Sequence, residues 1–237
     1  MKPAARAATA IALALALCLL VATAGGSASA SRAAATAPGA TATARVSRPP
    51  IVQHLIPFGP KRKREMAAYS ERHYGQHRWR LRDPRVIVEH MAQTRGAAAV
   101  YNTFAPDVAD VELGELPNVC SHFVVSPSGR IFQLVNLRTR CRHTVGLNWT
   151  AIGIEHAGYG DSDVLNNPAE LRASLWLTQY LRCRFGIPIG DVIGHNESLS
   201  SPYHHELVPS LRNQTHGDWK HSSMRVYRGR LARMKPC

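Results

Sequence analysis

Two apolar runs held apart by a tight turn constrain this chain most. His122-Phe-Val-Val-Ser and Arg130-Ile-Phe-Gln-Leu-Val flank Pro127-Ser128-Gly129. β-branched and aromatic residues on both sides of a short Gly-containing turn specify a hairpin, so the fold must contain a sheet. Further strands are predicted from Arg85-Val-Ile-Val-Glu-His90, which follows Asp83-Pro84, from Ala151-Ile-Gly-Ile-Glu-His156, and from Asp191-Val-Ile-Gly-His195. Between them lie stretches with helical spacing. Residues 65–74 and 96–104 read as short helices, and Pro168 stands near the start of a longer one whose apolar positions are Leu171, Leu175, Tyr180 and Leu181. Residues 224–234 form a terminal amphipathic segment. Strands interspersed with helices, plus one hairpin, predict an α/β fold: a mixed central β-sheet flanked by helices.

The first thirty residues bear on the compartment. Lys2 and Arg6 precede an apolar stretch rich in Ala and Leu, which ends at Ala28-Ser-Ala30, so residues 1–30 read as a cleaved signal peptide of an exported protein. The other reading keeps that stretch as a membrane anchor. Residues 31–60 are expected to be a linker, because their Ala, Thr and Pro content offers too little apolar surface to offset ordering. Residues 61–237 remain as one domain, without internal repeats, built on one core.

Four cysteines follow the signal: Cys120, Cys141, Cys183 and Cys237. In an exported chain an even count implies disulfides, and the three pairings stay open. The formal charge is +13. Lys2 and Arg6 account for two of those charges, leaving about +11 on the remainder. Such a basic balance favours polyanions, which outside the cell means anionic cell-wall polymers or lipids. No nucleic-acid module with interleaved aromatics is present, and the same charge also describes a merely solvated basic surface.

Three residues carry chemistry. His90 and His195 each close a strand, where a rigid backbone pre-orients an imidazole for metal binding. Glu155 follows an apolar strand, where an isolated carboxylate is costly unless it has a task or a partner. There it could take a proton from an attacking water. The plainer alternative turns Glu155 to solvent or pairs it with an arginine.

These segments resemble the zinc-dependent N-acetylmuramoyl-L-alanine amidases, the family that includes peptidoglycan recognition proteins. Val86-Ile-Val-Glu-His-Met-Ala-Gln-Thr is similar to the family's first-ligand strand. Ser121-His-Phe-Val-Val-Ser-Pro-Ser-Gly-Arg-Ile-Phe-Gln-Leu-Val is similar to its hairpin, His143-Thr-Val-Gly-Leu-Asn-Trp-Thr-Ala-Ile-Gly-Ile-Glu to a third block, and Gly194-His-Asn-Glu to the second-ligand segment. The blocks keep the family's order across residues 65–220. The resemblance implies one Zn2+ in an open groove, with His90 and His195 as ligands and Glu155 as the catalytic glutamate. It also implies a role for His143 towards substrate or oxyanion. The reaction implied is cleavage of the amide between N-acetylmuramic acid and L-alanine in peptidoglycan; together with the signal segment this predicts a secreted enzyme, expected to be a monomer.

The third ligand departs from the family's pattern. Thr215-His-Gly-Asp-Trp219 occupies the place where many members carry Asp or Cys before Pro-Gly, which makes His216 the expected ligand; spacing alone favours His204 or His205. Three neutral imidazoles would leave the ion its full double charge. That would offset the loss of a family lysine where Gln214 stands here. From another functional class, the competing reading is a non-catalytic peptidoglycan-binding receptor that keeps the groove and loses a ligand.

Overall fold

The computed structural model describes residues 46–237. The signal segment and the first part of the expected linker lie outside the described residues. Chain order is β1 (Ile51–Gln53), α1 (Pro60–Tyr74), β2 (Val86–Met91), α2 (Ala97–Phe104), β3 (Phe123–Val125), β4 (Ile131–Gln133), β5 (Ala151–His156), α3 (Asp161–Leu165), α4 (Pro168–Phe185), β6 (Val192–Gly194) and α5 (His221–Leu231). The six strands form one sheet in the order β1-β4-β3-β5-β2-β6. Only the β3–β4 hairpin is antiparallel; every other pairing is parallel. Mixed pairing with helices on the faces is the architecture the sequence predicts.

Local chemistry accounts for the helix ends. The Asn167 side chain accepts from the backbone N–H groups of Ala169 and Glu170, and Pro168 opens α4 with its φ already set. Gly186 closes that helix at φ +68°, a left-handed value that glycine adopts without Cβ strain. Two elements exceed expectation. Ile51–Gln53 pair with β4 as an edge strand inside the segment read as linker, and the short helix α3 precedes α4.

The period of two along β2 and β5 positions the site. Ile87, Ile152 and Ile154 pack with Leu171, Leu177, Leu181, Met224 and Tyr227 in the core beneath α4 and α5. Val86, Val88, Ala151 and Ile193 form a separate apolar cluster. Alternation therefore sends Glu89 and His156 toward the helices, and sends His90 and Glu155 to the other face. His90 and Glu155 are also register partners across the β2–β5 pair. Ile193 shares their face, so His195, two residues on, arrives there as well. Disulfides join Cys120 to Cys141 and Cys183 to Cys237.

Candidate metal centre

His90 and His195 meet Nδ1 to Nδ1 at 3.0 Å. Asp218 completes the group: its Oδ1 lies 3.5 Å from His195 Nδ1 and its Oδ2 4.0 Å from His90 Nδ1. One donor atom from each of these three residues lies within 4.8 Å of the others. Backbone anchors hold the carboxylate, since the Met91 N–H donates to Asp218 Oδ2 at 2.9 Å. The segment carrying Asp218 is tied to the His195 segment as well. Thr215 Oγ1 donates to the His195 carbonyl at 2.9 Å, and the Asn196 N–H donates to the Asp218 carbonyl at 3.0 Å.

Burial keeps both imidazoles neutral. It pushes His195 down to about 3, helped by the neighbouring His216, and pushes His90 well below its usual range, with His195 and His143 adding to the effect. Neutral rings offer lone pairs, and two such nitrogens facing a carboxylate make a donor set suited to a borderline-soft divalent cation. Ring orientation is fixed from behind. His90 Nε2 lies 3.1 Å from His143 Nδ1 and 3.3 Å from Thr144 Oγ1, while His156 Nδ1 and Trp219 Nε1 reach the His90 carbonyl at 3.0 and 3.2 Å.

Both other chemistry-bearing residues line the same groove, a cavity of about 230 Å³ that also borders the three donors. Burial, with Asp218 adding repulsion, raises the Glu155 carboxyl to about 8. His143 is neutral through burial, and its buried Nε2 has no hydrogen-bond partner. Gly153 makes room for that ring: a Cβ there would stand 2.8 Å from His143 Cγ.

His216, the expected third ligand, lies beside the donor set and not within it. Its ring stacks on that of His195 at 4.6 Å, and its Nε2 faces Gln214 Nε2 at 2.9 Å and Glu112 Oε2 at 3.1 Å. The side chain is 42% exposed. With Thr215 pinned to His195, the backbone carries Asp218 inward three residues later. His204 packs against Gly146, and neither it nor His205 joins the donors. A signal for Asp218 existed: it is the one carboxylate in Thr215-His-Gly-Asp-Trp219, the segment aligned with family members whose ligand is Asp.

A family model described as N-acetylmuramoyl-L-alanine amidase matches residues 80–207, a span that includes His90, His143, Glu155 and His195 and stops short of Asp218. No curated protein matches the chain. Among solved structures, the chain is similar to an endolysin N-acetylmuramoyl-L-alanine amidase, LysCS, from Clostridium intestinale. That match has 16% identity and a TM-score of 0.49, covering 79% of this chain and 98% of the other. It is also similar to a mutant endolysin from Bacillus subtilis, at 17% identity and TM-score 0.46 over 77% and 98% of the two chains. A third is the amidase AmiD from E. coli in complex with anhydro-N-acetylmuramic acid-L-Ala-D-gamma-Glu-L-Lys, at 22% identity and TM-score 0.39 over 49% and 50%.

Proposed function

The chain belongs to the N-acetylmuramoyl-L-alanine amidase family and is an amide hydrolase of that class; we propose that it works outside the cell as a zinc enzyme cleaving the bond between N-acetylmuramic acid and L-alanine. The observation that carries this reading is the convergence of His90, His195 and Asp218 in a groove that also contains Glu155. Zn2+ fits the site because two neutral imidazoles and a carboxylate turn their donor atoms toward one point, and His195 Nδ1 meets only other acceptor-bearing groups there. When bound, zinc supplies Lewis acidity and lowers the pKa of water. An Asp in place of a third imidazole cancels one of the ion's charges.

The remaining roles fall to groups of this chain. Glu155 is the general base: burial makes its ionised form a stronger base than a solvated carboxylate, so it takes a proton from the attacking water and returns it to the leaving amine. His143 has Nδ1 within 2.9 Å of Thr144 Oγ1, which leaves Nε2 to donate to the oxygen that gains charge. Two disulfides support an oxidising compartment. The binding-only alternative lacks a comparable observation, since the groove retains three donors and a base.

Digestion of purified peptidoglycan, read by mass spectrometry of the released ends, tests the proposal. New L-alanine amino termini, lost with a chelator and recovered with Zn2+, are expected. New reducing sugar ends would sink the bond assignment, and chelator-insensitive cleavage would sink the metal.

A further inference from the structure

A second cavity, of about 300 Å³, lies at the β1–β4 edge and shares no lining residue with the catalytic groove. It sits beyond the end of β4. That strand runs antiparallel to β3, so the cavity is at the opposite end of the sheet from His90 and Glu155. Phe58, Lys63, Trp79, Arg80, Asn136 and Arg138 are among its walls, and no carboxylate is.

Its cations are held in place and left uncompensated. Lys63 Nζ lies 4.9 Å and the Arg80 guanidinium 4.4 Å from the centre of the Trp79 ring. Arg80 bridges Thr139, the Leu81 N–H donates to the Arg138 carbonyl at 2.9 Å, and the Arg140 N–H donates to the Trp79 carbonyl at 2.9 Å. A two-stranded ribbon thus presents Arg80 and Arg138. The fully buried Arg140 side chain braces it by donating to Gln76 and to the Arg78 carbonyl. Among the described residues no carboxylate lies within 4.0 Å of Lys63, Arg80 or Arg138; the acidic partners go to Lys61, Arg62, Arg72, Arg142 and Arg228, and most other arginines share this unpaired state, so the cleft is distinguished by gathering three such cations in one concavity.

We propose that this cleft binds a phosphodiester-linked polymer of the cell wall, tethering the enzyme while the groove works elsewhere on the wall. Charge complementarity favours a polyanion. Concavity favours a polymer strand over a bilayer, because the cations line a cleft and do not ring a protruding apolar tip. The proposal rests on the cell-wall reading given above.

Co-sedimentation with purified walls, before and after acid removal of their phosphodiester-linked polymers, tests it. Binding of the parent to intact walls should weaken at least about tenfold in the K63E/R80E/R138E variant. It should change little in R172E/R225E/R233E, which makes the same charge change at exposed arginines elsewhere. Parent and cleft variant should hydrolyse stripped peptidoglycan equally, and failure of the parent there would sink the amidase reading separately. An equal loss in the charge-matched control overturns the proposal. So does parent binding that survives stripping, or cleft-dependent binding to phosphatidylglycerol vesicles. Should the triple variant fail to fold, R80Q and R138Q carry the same comparison.

Discussion

Asp218 and His216 are two residues apart, and which of them ligates decides the charge of the proposed zinc site. Asp218→Asn should lower zinc affinity by more than about a hundredfold, because a ligating anion is replaced by a weak neutral donor. His216→Ala should retain stoichiometric zinc, as measured by metal content after dialysis. The reverse pattern would restore the all-imidazole site expected from sequence. Glu155→Gln should keep its zinc and lose roughly 10²- to 10⁴-fold in turnover. Loss of metal along with activity would make Glu155 a structural residue and not the base. That His90, His195, His143 and Glu155 share one groove was legible because regular strands, or ordered motifs beside them, fix where such side chains project. Asp218 left only a motif-level signal, since it lies in an irregular segment steered by hydrogen bonds to remote groups and by Trp219 at φ +51°.

Elements show the same division. The strands and the long helix were readable from β-branched runs, Pro168 at the α4 start and Gly186 after its end. Strand β1 was missed: three residues pairing only with β4 leave no period to detect. The junction of β6 with the 215–219 segment makes a sharper prediction. A Cβ on Gly194 would collide with the Trp219 carbonyl and stand 2.6 Å from its Cβ. Gly194→Ala should therefore cost about 1–3 kcal/mol in denaturant unfolding and weaken metal binding, because β6 delivers His195 and Trp219 follows Asp218. Unchanged stability would mean that the two segments separate more easily than their packing implies.

Across the whole molecule, buried titratable groups shape stability with pH. Burial holds Glu89 at about 8 against an ordinary 4.5, so the folded state binds more protons across that window and stability falls as pH rises through it. Buried His122 and His156, both at about 4 against 6.5, act in the opposite sense, and stability is lost as pH drops below 6.5. Well above pH 6.5 those histidines are neutral in both states, and the slope is set by the raised carboxyls together with His73, which its Glu115 and Glu206 partners raise against the lowering effect of burial. The thermal midpoint of the chelated protein should decline from pH 6.5 to 8. Glu89→Gln should flatten part of that decline; an unaltered slope would show that Glu89 ionises without consequence.

Glu89 and His90 are adjacent, yet one faces the helices and the other the groove. A single residue inserted ahead of them in β2 would exchange these surroundings, placing an imidazole among α4 side chains and a carboxyl where a ligand belongs. A chain of this design can therefore lengthen over evolutionary time only outside its central strands. The tolerant places are stretches outside the strands and α-helices, such as residues 106–115 and 201–214, where added length leaves the strand register untouched and varies only the walls around a constant centre.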